Sequence, residues 1–415
     1  MSKKLRGVIL GIDGVLAVSG SRNQEIYKEM KRLVRFMLSK GLQPVVLANR
    51  DWSVTKGDGT VIRLEDEIRS RWFDFPWFVM NRMGLPHKPS SDSINYVLNQ
   101  MGWDPTETVY VGNTDDDMRT AVNGNVLFLN GTWFGKRTDY GFEFSSPRDI
   151  ARFIDIFCLR EHLWHFCINE QGLEYYALAP YSTYKQEFAA YSTDAKQAAK
   201  WGAGHPDFWT KYLFSTIYFS ELHKRIDYVA VYPGHEAGFG NPIMEEPTLA
   251  FTKCFRKSYL RDLVVRHTPS RKSSFARVAG QPIDHLNQLN TLVLTRYPLR
   301  GTGDKRYVRS PLTDGKTVLI VDDICTNGYS LEAARSFLEQ TGVRVICLSW
   351  LKTINTNYQK LEQVAPFSPF EASHFNQIPP IRSFPYHNFV VDPYAPEEID
   401  QKLSSYDNWN WPDGI

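Results

Sequence analysis

The stretch Val318-Leu319-Ile320-Val321-Asp322-Asp323-Ile324-Cys325-Thr326-Asn327-Gly328-Tyr329-Ser330 decides how the second half of the chain is read. Its first four residues form an uninterrupted apolar, largely β-branched run, the pattern of a central strand in a parallel sheet covered on both faces. Two adjacent acids follow at its carboxyl end. Thr326 to Ser330 then supplies hydroxyls, backbone N–H groups and a glycine that permits close approach, just before the helix-forming run Leu331-Glu332-Ala333-Ala334-Arg335. Such a place suits a phosphate, because a helix N-terminus offers unpaired N–H groups and the positive end of its dipole. The plainer reading is an ordinary strand-to-helix turn with Ser330 as the N-cap. Adjacent carboxylates repel each other, however, a cost for which a plain turn has no use and which vicinal ribose hydroxyls or a magnesium ion would exploit.

These residues resemble the 5-phosphoribosyl-1-diphosphate (PRPP) binding motif of type I phosphoribosyltransferases, an apolar strand followed by two acids, a Thr-Thr-Gly-x-Thr-like loop and a helix. The resemblance implies that Asp322 and Asp323 bind the ribose 2- and 3-hydroxyls and, through water or through the ligand, Mg2+. It implies that Thr326, Asn327, Gly328, Tyr329 and Ser330 hold the 5-phosphate, which makes Asp322, Asp323 and Thr326 the candidate catalytic residues. Asn327 departs from the pattern, since a small hydroxyl residue or alanine is usual there, although an amide can donate to a phosphate oxygen.

Upstream, Asp227 to Tyr232 reads as a strand and Pro233-Gly234-His235-Glu236-Ala237-Gly238 as its loop. Alone this is a Pro-Gly turn; by its position in the family pattern, Gly234 and His235 map onto a pyrophosphate-binding loop. Between the two loops, Lys253 to Arg277 is the one strongly basic segment, with Asp262 as its only acid. Arg266, Arg271 and Lys272 are the candidate residues of a mobile loop closing over pyrophosphate, where cations would stabilise the leaving group. The same charges suit a solvated helix face or a nucleic-acid backbone. The whole second half is distantly similar to the ComF-like branch of phosphoribosyltransferases, without that branch's cysteine-rich zinc ribbon.

A chain of 415 residues is long enough for two full cores, since single cores rarely grow beyond about 250 to 300 residues. Its net charge of +2 gives no global pull toward nucleic acid or membrane, and 14% aromatic content predicts large buried aromatic surfaces. Five cysteines without a CxxC pair encode neither a disulfide framework nor a zinc ribbon. The apolar run after the basic N-terminus is too short for a signal peptide or a span, so a cytoplasmic protein without a membrane partner is expected. His162 and His165 beside Cys167 read as core, not as metal ligands.

The first half alternates strands and helices: Gly7 to Leu10, Gln43 to Ala48 and Thr108 to Val111 as strands, Gln24 to Lys40 and Ser90 to Met101 as helices. Arg63 to Met83, rich in Trp and Phe, reads as helical. The order resembles the haloacid dehalogenase (HAD) phosphohydrolase superfamily over roughly the first 140 residues. That family's first strand ends Asp-x-Asp-Gly, with a nucleophile and then a general acid and base; here the aligned residues are Gly11, Ile12, Asp13 and Gly14. The phosphoryl-binding Thr or Ser is Ala48, followed by Asn49; the charge-balancing lysine is Lys88; and the metal-binding acidic motif begins with Asn113 and retains Asp117. The resemblance therefore implies a pseudophosphatase, in which Asp13, Asn49, Lys88, Asn113 and Asp117 are remnants able to bind a phosphorylated ligand without hydrolysing it.

The expected fold is α/β, two doubly wound parallel-sheet domains, the first HAD-like and the second of the type I phosphoribosyltransferase kind. The expected divisions are 1–150, a bridging or hood segment 151–225, the transferase domain 226–366 and an aromatic, Pro-rich tail 367–415. Three functions stay open. The first is a Mg2+-dependent transfer of phosphoribosyl from PRPP to a nitrogenous acceptor. The second is a non-catalytic sensor of PRPP or a nucleotide that regulates a protein partner or assembles as a homo-oligomer, and the third is a phosphatase. Such two-domain pairings resemble proteins of bacterial stress-resistance and antiviral-defence gene clusters.

Overall fold

Two parallel sheets organise the chain, each with its own buried core. The computed structural model describes residues 5–18, 23–56, 58–271, 284–301 and 303–415. Residues divide into a first unit, Met1–Glu161 with Lys253–Arg256 and Ser405–Ile415, and a second, His162–Thr252 with Lys257–Ser404.

The first unit runs β1 (Gly7–Leu10), α1 (Gln24–Ser39), β2 (Gln43–Ala48), β3 (Ser53–Thr55), β4 (Val61–Arg63), α2 (Leu64–Arg71), β5 (Trp77–Val79), α3 (Met80–Met83), α4 (Ser91–Met101), β6 (Thr108–Gly112), α5 (Asp115–Asn123), β7 (Leu127–Gly131), β8 (Phe142–Phe144) and α6 (Pro147–Phe153). Its sheet has the order β5-β2-β1-β6-β7-β8, parallel throughout. Strand order reverses between β1 and β6, the crevice where such sheets take ligands. Both strands are wholly buried, so their polar loops emerge at one edge of a dry core. Arg63 to Met83 is not one helix. Pro76 disfavours helix for itself and the residue before it, and Trp77–Val79 instead pairs with Val46–Ala48 as β5. Trp72, Phe75, Trp77 and Phe78 are buried there.

The second unit runs β9 (Phe166–Glu170), β10 (Leu173–Tyr181), α7 (Gln186–Trp201), α8 (Pro206–Phe219), β11 (Tyr228–Val231), β12 (Gly238–Phe239), α9 (Pro242–Phe255), β13 (Ser258–Tyr259), β14 (Val264–Arg266), α10 (Leu286–Leu289), β15 (Leu292–Leu294), β16 (Thr317–Cys325), α11 (Tyr329–Glu339), β17 (Arg344–Thr353), β18 (Tyr358–Leu361), β19 (Ile381–Phe384) and α12 (Ala395–Tyr406). Its main sheet is β13-β11-β16-β17-β10-β9, parallel except for the antiparallel edge strand β9. A small antiparallel sheet, β12-β14-β15, stands apart from it. The central position of β16 follows from its sequence: Val318 to Val321 is buried between β11 and β17, pairing Val321 with Val231 on one side and Leu348 on the other. The strand order turns between β11 and β16. Both of the motif-bearing loops therefore leave adjacent strands at the same edge.

Candidate functional site

β16 runs past the apolar run, through both acids, to Cys325. Gly328 then turns the chain into α11 with φ +84°, a left-handed conformation, and a Cβ there would lie 2.6 Å from the ring of Tyr358. Both facts demand glycine. Gly328 is the N-cap, so Ser330 does not cap the helix. Gly328 supplies no side-chain cap to α11, so the helix presents N–H donors and its positive dipole end at the loop.

Tyr358, whose ring excludes a side chain at Gly328, is itself fixed. Its hydroxyl donates to Glu332 at 2.9 Å, and Glu332, wholly buried, also accepts from Arg335 at 2.6 Å and from the Leu361 N–H at 2.9 Å. The buried carboxylate is thus paired and hydrogen-bonded, as burial of a charge requires.

Lys352, at the end of β17, lies beneath the loop. Its ammonium donates to the carbonyls of Thr326 (2.5 Å) and Thr356 (2.5 Å) and to the Thr356 hydroxyl (2.7 Å). Holding the Thr326 carbonyl inward turns the next N–H, that of Asn327, the opposite way, because the two lie trans across one planar peptide. Lys352 has no carboxylate partner among the described residues, and burial pushes its ammonium down to about 8. Thr326 also exchanges a hydrogen bond with Thr353 at 3.0 Å, and the Asn327 amide donates to the Asn357 carbonyl at 3.4 Å.

The acids are differently placed. Asp322 accepts from the Asp323 N–H at 2.9 Å and Asp323 from the Ile324 N–H at 2.7 Å. Burial first, and then the neighbouring Asp323 charge, drives the Asp322 carboxyl well above the usual carboxylate range. Asp323 forms an ion pair with Lys200, in the last turn of α7. Burial alone would lower the Lys200 ammonium; the Asp323 charge more than offsets this, and the net shift is upward.

On the adjacent strand, Tyr232 donates a backbone N–H to Val321 at 2.9 Å and a hydroxyl to Gln288 at 2.6 Å, and Ser330 is a further hydrogen-bonding neighbour of that phenol. Gly234 follows with open space where a Cβ would stand. His235 pairs with Glu236 at 2.8 Å, and its carbonyl accepts from Ser270 at 2.9 Å. Arg266 was expected on a closing loop, but it ends β14 and is 2% exposed. It donates to the Gly234 carbonyl (2.7 Å), the Tyr232 hydroxyl (3.0 Å), Gln288 (3.0 Å) and Thr291. Its place is under the Gly234 loop as a brace. Arg271 is held to Asn287 through its backbone. Lys272 lies outside the described residues.

Asp322, Asp323, the Thr326–Ser330 loop and Gly234 thus meet at one sheet edge, while Arg266 supports it from below. Lys200 and Lys352 were missed. A lysine on a helix or at a strand end carries no local signal, and only the folding of α7 over that edge reveals the first. Among the described residues no three His, Cys, Asp or Glu side chains stand together as a metal site. Two carboxylates, one of them already paired, do not by themselves fit a resident cation.

In the first unit, Asn49, Lys88, Asn113 and Asp117 converge at the β1/β6 crevice. Lys88 pairs with Asp117 at 2.6 Å; Tyr110 (2.8 Å) and Thr114 (2.9 Å) donate to the same carboxylate, and Asn49 accepts from the Lys88 N–H at 2.7 Å. Burial opposes the Asp117 charge, but Lys88 and these donors overcome it and hold the carboxyl below its ordinary range. Asn113 donates to the carbonyls of Gly131 and Gly135, and its own side-chain oxygen is buried without a partner among the described residues. A Cβ at Gly11 would stand 3.2 Å from Asp117 oxygens. Asp13 turns elsewhere and pairs with Arg137 at 2.7 Å.

Comparison with known families matches residues 265–361 to the phosphoribosyl transferase domain. The residues that match that domain therefore lie within the second unit, and the first unit is a parallel-sheet α/β fold. A search of curated proteins returned no match. Among solved structures, the chain is similar to an uncharacterized protein from Listeria monocytogenes serotype 4b (17% identity, 37% of this chain and 98% of that one, TM-score 0.29). It is also similar to a HAD-superfamily hydrolase from Geobacter sulfurreducens PCA (16%, 36% and 98%, 0.24). A third is the cobalt-bound deoxy-D-mannose-octulosonate 8-phosphate phosphatase from Haemophilus influenzae (16%, 31% and 70%, 0.24). No helix among the described residues is long and apolar enough to cross a membrane.

Proposed function

We propose that the second unit binds PRPP and transfers its phosphoribosyl group to a nitrogenous acceptor, releasing pyrophosphate. The observation that carries this reading is the turn of strand order between β11 and β16, which sets the Gly234 loop, the acid pair and the uncapped start of α11 side by side. The Thr326–Ser330 loop holds the 5-phosphate, Asp322 and Asp323 accept from the ribose hydroxyls, and the Gly234 loop receives the diphosphate. The acceptor nitrogen bonds to the anomeric carbon as the carbon–oxygen bond to diphosphate breaks. The diphosphate leaves with the electron pair and the nitrogen sheds its proton to solvent. With no covalent intermediate on the chain, the residues act by positioning and electrostatics. The residues of the site would not hold Mg2+ by themselves, and a cation brought by the ligand would supply charge neutralisation at the leaving diphosphate.

The first unit serves as a HAD-like scaffold or regulator. Gly11 has no carboxylate to form a phosphoenzyme, Asp13 is engaged by Arg137, and Lys88 is neutralised by Asp117. The purified chain is expected to leave p-nitrophenyl phosphate unhydrolysed with Mg2+ present; turnover that survives further purification would restore the phosphatase reading.

Incubation with PRPP and MgCl2 across a panel of nitrogenous bases, with pyrophosphate release as readout, tests the transferase. Release that depends on one base class is expected. PRPP binding without release under any base would favour the sensor. Asp322→Asn with Asp323→Asn is expected to weaken PRPP binding about a hundredfold or more, through two lost charge-assisted acceptors; unchanged binding would remove the site.

A further inference from the structure

The acid pair has a cation of its own. Lys200 projects from the last turn of α7 onto Asp323, and α7 is braced so that this placement is part of the fold. Tyr191 donates its hydroxyl to the Pro180 carbonyl at 2.9 Å, and Ser192 accepts from the Ser182 N–H at 3.2 Å, which fixes the helix to the end of β10. Asp194 receives His205 at 2.7 Å and the Trp209 indole at 2.7 Å, which locks α7 to the start of α8. The Trp209 ring stacks in turn on Trp350 of β17, 6.1 Å between centroids.

Burial and mutual repulsion push this acid pair toward sharing a proton, so a compensating cation is needed before both members can be ionised to accept from a sugar. A divalent ion is one way to supply it. This chain offers that ion no third acid, histidine or cysteine among the described residues, and it supplies an ammonium instead. One oxygen of each acid is held by a backbone N–H within the strand. Asp322, the more exposed of the two, is the acid that a sugar hydroxyl reaches first, while the second Asp323 oxygen is buried against Lys200.

We propose that Lys200 stands in for a divalent cation at the acid pair, so that the phosphoribosyl moiety binds without metal and Mg2+ is recruited only by the diphosphate. The proposal rests on the PRPP reading above. It makes Lys200 a positioning residue, acting on the sugar through Asp323, and gives the segment ahead of β11 a function in ligand binding.

Ribose 5-phosphate, which lacks the diphosphate, separates the two uses of metal. Its binding to the full chain is measured by titration calorimetry in EDTA and again in excess MgCl2, for the wild type, Lys200→Met and Lys200→Arg. The wild type is expected to bind equally in both buffers, within about twofold. Lys200→Met is expected to bind about tenfold more weakly in EDTA and to recover on adding MgCl2, the cost of leaving an acid pair uncompensated. Lys200→Arg, which restores a cation, is expected to stay indifferent to EDTA. Thermal melting of each variant establishes that it is folded. A wild type that loses affinity in EDTA overturns the proposal, as does a folded Lys200→Met indifferent to Mg2+. Absence of wild-type binding in both buffers sinks the ribose-phosphate reading itself, and the proposal with it.

Discussion

Lys352 shows how much one side chain sets at the phosphate loop. Its buried ammonium donates to neutral oxygens and lies over the Phe166 and Tyr386 rings at 5.7 and 5.6 Å, with no carboxylate partner among the described residues, so a dianion in the loop would be drawn to its charge. Its ammonium is lowered to about 8, below its value in the unfolded chain. The unfolded chain therefore binds that proton more tightly, and Lys352 opposes folding below about 8; the opposition fades as pH rises toward the ordinary lysine range. Ligand binding runs the other way. A phosphate monoester is a dianion above about pH 6, and it is expected to bind the charged lysine well until about pH 8 and less well above, as the lysine loses its proton. Lys352→Met is expected to weaken ribose 5-phosphate binding about tenfold at neutral pH and to abolish that alkaline limb, measured as affinity against pH. Gly328 is as strict in another sense. Gly328→Ala forces a Cβ against the Tyr358 ring at positive φ and is expected to cost about 2 to 4 kcal/mol in chemical denaturation.

At the scale of elements, α11 is useful only because it is pinned. Glu332 ties it to β18 through Tyr358 and the Leu361 N–H and neutralises Arg335 within the helix. Glu332→Ala leaves a buried guanidinium with its main partner gone, and is expected to destabilise the second unit by about 3 to 5 kcal/mol, read from the urea midpoint. The strand-acid-glycine-helix order was legible because each part has a local signature: a buried run, paired acids, a residue free to take positive φ. The β9–β10 pair was not legible. Leu173 to Ala179 is buried at nearly every position, so it lacks the alternation that marks a half-exposed strand, and it lies in an aromatic stretch that reads equally as helix. Missing β10 hid α7 as the helix crossing the sheet edge, and Lys200 with it. Arg266 misled for the opposite reason, since a run of cations reads as solvated surface while its tertiary neighbours bury it.

Across the whole molecule, two parallel-sheet α/β domains were accessible from the alternation of strands and helices, but the strand order and the path of the chain were not. Ser405–Ile415 belongs to the first unit. There Trp409 stands 6.0 Å from Phe36, donates its indole N–H to Asp155 at 2.9 Å and accepts from Arg148 at 2.6 Å through its carbonyl. Arg32 lies over the Trp411 ring at 5.0 Å. Trp409→Ala is expected to cost the first unit about 3 kcal/mol and to leave ribose 5-phosphate affinity unchanged, checked by thermal melting and calorimetry on the same sample. The return of the chain also sets an order of events during synthesis. Domains generally fold as they emerge, amino-terminal first, yet here the first unit waits with Phe36 uncovered until the last tryptophans have left the ribosome, by which time every residue of the second unit has already been made.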